Sequence, residues 1–236
     1  MIDLYYTPTP NGWKVAIMLE EAGLAYRPIF LDIFHGAQFE TEFLAISPAA
    51  KMPAIVDHDV VGDPVSVFES GTILIYLAEK AGLFLASDPL RRKETFEWLF
   101  WQTGNLGPMA GQLAHFSMFG PDAPQPYAMK RYSGEYERCL AVLERRLEGR
   151  AFVIDNYSIA DMQIFPWVLV AKNLGVDLTK FANVARWRTT IKQRPAVRRA
   201  IDLMKDRQNR GEHNAETNKL LYNQDAEHIL RSRRTN

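Results

Sequence analysis

The chain is poor in cysteine and has no excess of charge of either sign. Cys139 is the single cysteine among 236 residues, so an intrachain disulfide is excluded and the fold must rest on its packed core. A reducing compartment fits this usage. Basic and acidic residues number 28 each. A neutral chain lacks the basic excess that is typical of nucleic-acid-binding domains, and gives no electrostatic reason to bind an anionic membrane.

Long apolar runs are missing as well. The richest stretch, Ile164 to Ala171, is too short to span a bilayer and contains Pro166. No basic segment leading into an apolar run follows Met1, so a secretory signal is not indicated. The five histidines show no Cys/His ligand spacing. We therefore expect a cytoplasmic protein that binds no metal, no membrane and no nucleic acid.

Residues 1–80 alternate between short β-prone segments and helical periods. Apolar residues recur at helical spacing from Lys14, and again from Gly71 to Glu79. The order βαβαββα implies a parallel βαβ unit followed by an antiparallel hairpin, and hence an α/β domain with a four-stranded mixed sheet. The predicted strands are Ile2 to Tyr6, Tyr26 to Leu31, Ala54 to Val56 and Val65 to Phe68.

Beyond Gly82 the pattern contains only helical periods, such as Tyr132, Tyr136, Leu140 and Leu143. The sequence thus predicts a domain at 1–80, a linker at 81–90, an all-helical domain at 91–204 and a polar tail at 205–236. The tail is predicted to be partly helical or draped over the body and frayed at its tip. Its last residues include Arg231, Arg233 and Arg234.

Pro53 stands at the entrance of a predicted strand, where a trans proline removes a ladder hydrogen bond. If the bond before it is cis, the turn leaves the N–H and C=O groups of Met52 free. Met52 then pairs with an extended peptide ligand like an added strand. The alternative is an ordinary strand-entry proline in a loop.

Glu69 and Ser70 lie between a predicted strand and a helix. A helix N-terminus presents unpaired N–H groups and partial positive charge, which suit a ligand carboxylate. The Ser70 hydroxyl adds a hydrogen bond and Glu69 pairs with a ligand ammonium, so an amino acid carrying both charges fits. The alternative is that Ser70 only caps the helix.

Thr9, Pro10, Asn11 and Gly12 open the first helix, where a redox protein of this topology carries Cys-x-x-Cys. No cysteine occurs here, so any sulfur chemistry must use a thiol that the ligand brings. A helix N-terminus and a hydroxyl or amide donor stabilise a thiolate at this place. The alternative is that Thr9 or Asn11 simply caps the helix.

Together these elements resemble the glutathione transferase superfamily, in which a thioredoxin-like N-terminal domain precedes a helical domain. The resemblance covers residues 1–204. The matching stretches are Ser47 to Asp57, Phe68 to Leu77 and Asn156 to Asp161, and within the superfamily Tyr5 to Gly12 and Glu97 to Gln102 are similar to the bacterial nu-class, Ure2-like group.

That resemblance implies reduction of small disulfides by glutathione, some hydroperoxide reduction, two glutathiones per active site and a homodimer. It implies that Thr9 and Asn11 face the glutathione sulfur. Tyr5, Tyr6 and Thr7 are alternative hydroxyl donors. The residues implied to hold glutathione are Gln38, Lys51, Met52, Pro53, Glu69 and Ser70, with Arg131 contacting the thiol pair.

Two alternatives to disulfide reduction stay open: conjugation of glutathione to electrophiles, and a binding or regulatory module without turnover. Other conspicuous residues have structural interpretations. Ser158 and Asp161 predict a capping box, and Cys139 predicts a buried inert thiol. The aromatic cluster from Trp98 to Trp101 is predicted to divide between the core and the wall of an apolar substrate pocket.

Overall fold

A computed structural model describes residues 1–119, 125–208, 215–222 and 224–230. The strands are β1 (Ile2–Tyr6), β2 (Tyr26–Phe30), β3 (Ala54–Asp57) and β4 (Val65–Phe68). The helices are α1 (Pro10–Ala22), α2 (Thr41–Ile46), α3 (Ser70–Ala81), α4 (Pro89–Trp101), α5 (Gly107–Ala114), α6 (Pro126–Arg146), α7 (Ile159–Leu169), α8 (Ala182–Lys192), α9 (Pro195–Asp202), α10 (Ala215–Tyr222) and α11 (Ala226–Leu230).

The strands form one mixed sheet in the order β2-β1-β3-β4. The first strand pairs in parallel with β2, with Ile2 opposite Tyr26, and antiparallel with β3, with Ile2 opposite Asp57. The hairpin partner β4 continues the antiparallel pairing. This sheet, followed by helices, confirms the predicted α/β thioredoxin-like domain and all-helical domain.

The two faces of the sheet bury different clusters because side chains alternate along β1. Ile2, Leu4 and Tyr6 are buried in the large core that α1 and α3 also supply. On the opposite face Tyr5 packs near Phe43 of α2, with ring centroids 5.8 Å apart. The sheet is thereby covered on both sides, and the end of β1 leads directly into the site.

The first helix starts at Pro10, within the segment Thr9 to Gly12 that was predicted to open it. Thr9 caps it, because its side chain accepts from the N–H of Gly12, and proline suits the first helical position. A Cβ on Gly12 would lie 2.4 Å from the carbonyl oxygen of Thr7. Glycine therefore allows the helix terminus to approach the end of β1 closely.

The helical domain packs on the sheet domain through α7 and α9, which both contact α1. The predicted capping box at the start of α7 is confirmed. The Ser158 side chain accepts from the backbone N–H of Asp161, and the Asp161 side chain accepts from the backbone N–H of Ser158. The prediction that Cys139 is a buried thiol is also confirmed. In the described part of the chain, no helix combines the length and the apolar character that a membrane crossing needs.

The C-terminal tail contains α10 and α11, and α10 packs against residues 33–35 of the sheet domain. Leu220 lies beside Gly36, and the rings of Phe39 and His228 are 5.1 Å apart. The tail is therefore partly helical and lies on the body. Arg231, Arg233 and Arg234 fall outside the described residues.

Candidate functional site

Two adjoining cavities lie between the sheet domain, the helical domain and the tail. We call them the Ser70 cavity, of about 650 Å³, and the Thr9 cavity, of about 640 Å³. Both volumes are in the range of small-ligand sites. The residues that line both are Asn11, Lys51, Met52, Gly111, His115, Trp167, Leu221 and Tyr222.

Glu69 and Ser70 stand together on the wall of the Ser70 cavity. Glu69 has a φ of 68°, a conformation that a residue with a side chain adopts at a price of about 1–3 kcal/mol and that is concentrated at functional sites. Helix α3 has no side-chain cap, so the alternative in which Ser70 caps it is wrong. The first amide groups of α3 are left to bind an anion.

The segment from Lys51 to Pro53 borders the same cavity. The Met52–Pro53 peptide bond is cis, as the hypothesis for Met52 required. The Lys51 ammonium donates to Gln224 Oε1 of the tail at 2.7 Å. The structure thus brings Lys51, Met52, Pro53, Glu69 and Ser70 to one cavity.

Thr9 and Asn11 lie where the two cavities meet the start of α1. The Thr9 hydroxyl donates to the Met52 sulfur at 3.8 Å. Asn11 Oδ1 accepts from the indole Nε1 of Trp167 at 3.0 Å. Because an indole N–H only donates, this bond fixes which end of the Asn11 amide faces Trp167, and leaves its NH2 group for a ligand.

The alternative hydroxyl donors are committed elsewhere. Tyr6 is fully buried, its hydroxyl points to the carbonyl of Leu203, and burial raises its pKa. Thr7 Oγ1 donates to the carbonyl of Leu31 at 2.5 Å. Tyr5 faces the smaller core cluster. The Thr9 hydroxyl lines the Thr9 cavity and donates only to a thioether sulfur, which is a weak acceptor, so the geometry favours Thr9.

Gln38 lies on the wall of the Thr9 cavity, beneath the tail. Its side chain is buried, and its Nε2 donates to the carbonyl of Leu220 at 3.4 Å. Its Oε1 has no hydrogen-bond partner among the described residues. The tail therefore contacts two residues of the predicted site, Gln38 and Lys51.

Arg131 is the predicted site residue that the structure does not bring to the cavities. It lies on the surface of α6, 58% exposed, and pairs with Glu135 at 3.2 Å. We leave it out of the proposed site. The aromatic cluster of α4 lines neither cavity either: Trp98 packs edge-on against Trp101, and Phe100 is 63% exposed.

Several residues that form the floor of the Ser70 cavity were not predicted from the sequence. Lys14, Gln102 and Gln163 are buried there, and Trp167 with Tyr222 supplies aromatic wall in place of the α4 cluster. One signal for Lys14 was available: it interrupts an apolar run, Trp13 to Leu19, that is buried throughout.

The cavities contain charged, hydroxyl and amide groups. Among the described residues, no three histidine, cysteine or acidic side chains are grouped so as to hold a metal ion. What the site offers is a helix terminus beside Ser70, an amide donor at Asn11 and a cation at Lys51. Such a site suits an elongated ligand with charged ends.

A thioredoxin-like domain that carries this site and precedes a helical domain defines a glutathione transferase-type architecture. The family models "Glutathione S-transferase, N-terminal domain" and "Glutathione S-transferase, C-terminal domain" match residues 2–79 and 106–195. "Disulfide-bond oxidoreductase YfcG" of Escherichia coli is 50% identical over 204 residues, which is 85% of this chain and 94% of the relative. The chain belongs to the glutathione transferase family.

Solved structures lead to the same family. A glutathione transferase from Burkholderia graminis, with two glutathione molecules bound per subunit, is 43% identical, with a TM-score of 0.82 over 86% of this chain and 88% of that one. A glutathione transferase from Pseudomonas putida, with one glutathione disulfide bound per subunit, is 40% identical, with a TM-score of 0.81 over 86% and 91%.

Proposed function

We propose that the chain reduces small disulfides with glutathione, whose own thiolate is the nucleophile. The observation that carries this proposal is the fixed amide of Asn11 at the start of α1, with its NH2 group left for a ligand. The one cysteine, Cys139, is buried in α6 and lines neither cavity. Organic hydroperoxides are a second substrate class in this proposal.

Three features of the start of α1 would stabilise a thiolate. The Asn11 amide supplies donors, the Thr9 hydroxyl supplies another, and the start of the helix supplies partial positive charge. Each unit by which these donors lower the pKa of the thiol corresponds to about 1.4 kcal/mol. A lower pKa raises the fraction of thiolate at neutral pH, which is the reactive form.

The ends of glutathione would be held by the other predicted residues. The γ-glutamyl end carries a carboxylate and an ammonium, which match the α3 terminus with Ser70 and the carboxylate of Glu69. Met52 would pair with the peptide backbone. Lys51 and Gln38 would hold the remainder of the ligand.

The proposed reaction uses two glutathiones. The first thiolate attacks one sulfur of the disulfide, forming a mixed disulfide and releasing the other sulfur as a thiolate that takes up a proton. The second glutathione attacks the glutathione sulfur of the mixed disulfide, giving glutathione disulfide and a second free thiol. Two adjoining cavities that share Asn11 would accommodate the two thiols.

The decisive variant is Asn11→Asp. Aspartate can still accept from Trp167, but it donates no hydrogen bond and adds negative charge beside the thiolate. We expect turnover of a mixed disulfide to fall by about 100-fold, the range for losing one stabilising donor, with a smaller change in glutathione affinity. Turnover is measured by steady-state assay, affinity by calorimetry, and the thiol pKa by the ultraviolet absorbance of the thiolate.

Thr9 provides a matched pair for the same experiment. Thr9→Ser keeps the hydroxyl and should retain most of the turnover, while Thr9→Ala should lower turnover more than affinity. Equal losses in turnover and affinity for Thr9→Ala and Asn11→Asp would mean that these residues only bind.

Rival functions make different predictions with the unmodified protein. A conjugating transferase would turn over a chloro-aromatic electrophile faster than a mixed disulfide. A binding or regulatory module would bind glutathione and turn over neither.

We further propose that the chain divides into segments 1–80, 81–90, 91–204 and 205–236. We also propose that the protein is a homodimer with a cytoplasmic location. Light scattering tests the dimer.

A further inference from the structure

Lys14 is a buried cation that the mechanism above does not use. Its side chain is 3% exposed, and none of the ion pairs between described residues includes it. Its Nζ donates to Gln102 Oε1 at 3.0 Å and to Ser70 Oγ at 3.5 Å. Burying a lysine that forms no ion pair is costly, so the position of Lys14 in the wall of the Ser70 cavity requires a reason.

The contacts of the Ser70 hydroxyl indicate a reason for burying Lys14. Its oxygen accepts from Lys14 Nζ and also from Gln163 Nε2 at 3.4 Å. A serine hydroxyl has two acceptor positions and one donor. With both acceptor positions engaged from beneath, the hydroxyl hydrogen is left to donate to a group in the cavity.

Two buried amide atoms beside Ser70 complete the arrangement. Gln102 Nε2 and Gln163 Oε1 have no hydrogen-bond partner among the described residues, although both side chains are fully buried and line the Ser70 cavity. Unpaired buried polar atoms are rare and call for a partner.

We propose that Lys14 and Gln163 are positioning residues, which hold Ser70 as a hydrogen-bond donor to the γ-glutamyl carboxylate of glutathione, with the Lys14 ammonium as the positive charge behind it. The inference rests on the proposed function, because it takes glutathione as the ligand. Lys14 acts through Ser70 and Gln102, while Glu69, which lines the same cavity without an ion pair to Lys14, would face the ligand ammonium.

The experiment tests whether the Lys14 ammonium acts on the γ-glutamyl carboxylate of the ligand. S-methylglutathione is compared with the analogue in which a 4-aminobutanoyl group replaces the γ-glutamyl residue, which removes only the carboxylate. Calorimetry gives the affinity of both ligands for the unmodified protein and for Lys14→Met, which keeps the length of the side chain without its charge. S-methylation removes the titrating thiol from both probes.

We expect Lys14→Met to lower the affinity for S-methylglutathione by about 10- to 100-fold, the range for a charge-assisted hydrogen bond. Binding of the 4-aminobutanoyl analogue should change by less than about twofold. Gln163→Leu should give the same pattern with a smaller loss, since it frees Ser70 but keeps the charge. Lys93→Met, an exposed lysine of α4, controls for the change in net charge.

Equal weakening of both ligands by Lys14→Met and Gln163→Leu would overturn the inference, because it would show a structural role alone. An unchanged affinity for S-methylglutathione in both variants would also overturn it. If the unmodified protein binds neither ligand, the proposed function itself fails, which is a separate outcome. Circular dichroism establishes that each variant is folded.

Discussion

At the scale of single residues, Lys14 links the stability of the fold to its proposed ligand. Burial lowers the pKa of its ammonium from 10.5 to about 7, and the negative charge of Glu69 opposes part of that change. A folded-state pKa below the unfolded-state value means that the unfolded chain binds more protons between about pH 7 and 10.5. Stability contributed by this residue therefore rises with pH across that window.

The consequence is a prediction for Lys14→Met in the absence of ligand. At pH 6 the variant should be more stable than the unmodified protein, by about 1–3 kcal/mol, because it buries no charge. The difference should shrink as the pH rises through 7 toward 10. Urea unfolding at a series of pH values measures it, and the comparison of the two proteins cancels the titration of all other groups.

The prediction would be contradicted if Lys14→Met were less stable than the unmodified protein and the difference in their unfolding free energies did not depend on pH. It would mean that the bonds to Gln102 and Ser70 outweigh the desolvation of the ammonium. If Lys14→Met is instead more stable but binds glutathione more weakly, Lys14 lowers the stability of the fold while it contributes to binding.

The residues of the site differ in how far the sequence could predict them. Lys51, Met52, Glu69 and Ser70 stand in continuous motifs at the ends of predicted elements, and the structure places them around one cavity. Gln163 lies far along the chain from Ser70 and meets it only through packing of α7 on α3. No local pattern distinguishes such a glutamine from a solvated one.

At the scale of elements, α7 is the helix that carries two groups into the site, Gln163 and Trp167. Its start is fixed by Asp161, which is fully buried and accepts from the N–H groups of Val153 and Ser158 and from Trp187 Nε1. Burial raises the pKa of this carboxyl group to about 6, against the lowering effect of those donors.

We predict that Asp161→Asn destabilises the protein by about 3 kcal/mol or more. One of the two oxygens becomes an NH2 group facing donors, so buried N–H groups lose their acceptor. Chemical denaturation measures the free energy of unfolding. Asp155→Asn, at a surface carboxylate that is 46% exposed, is the matched control and should cost less than about 1 kcal/mol. Similar losses in both variants would refute a special role for the capping box.

The elements themselves were largely predictable because each has a simple local cause. A short apolar, β-prone run marks β1, and the Ser158–Asp161 box marks α7. The start of α1 was predicted from Thr9 to Gly12 and not from apolar periodicity, which begins only beyond Lys14, and the cap at Thr9 decides where the helix begins. The π-helical turn at Gln102–Leu106, between α4 and α5, has no such signal.

At the scale of the whole molecule, the tail forms part of the wall of both cavities. Leu221 and Tyr222 line both cavities, and the rings of Tyr222 and His115 are 5.0 Å apart. Composition predicted a polar tail, but only the position of Leu220, Leu221 and Tyr222 along α10 shows which body surface they cover. That surface is formed by parts of both domains, so no local pattern could reveal it.

Gln224 of the tail holds the ammonium of Lys51, which the proposed function assigns to glutathione. The prediction is that glutathione takes the position of Gln224 on Lys51, so that its apparent affinity is reduced in proportion to the fraction of molecules in which the tail holds the lysine. Gln224→Ala should therefore bind glutathione about two- to fivefold more tightly, as measured by calorimetry. Leu230→Ala, at an exposed residue of α11, is the control. Weaker binding by Gln224→Ala would contradict the competition, since it would mean that the tail amide turns from Lys51 to the ligand and that the tail closes the site around glutathione.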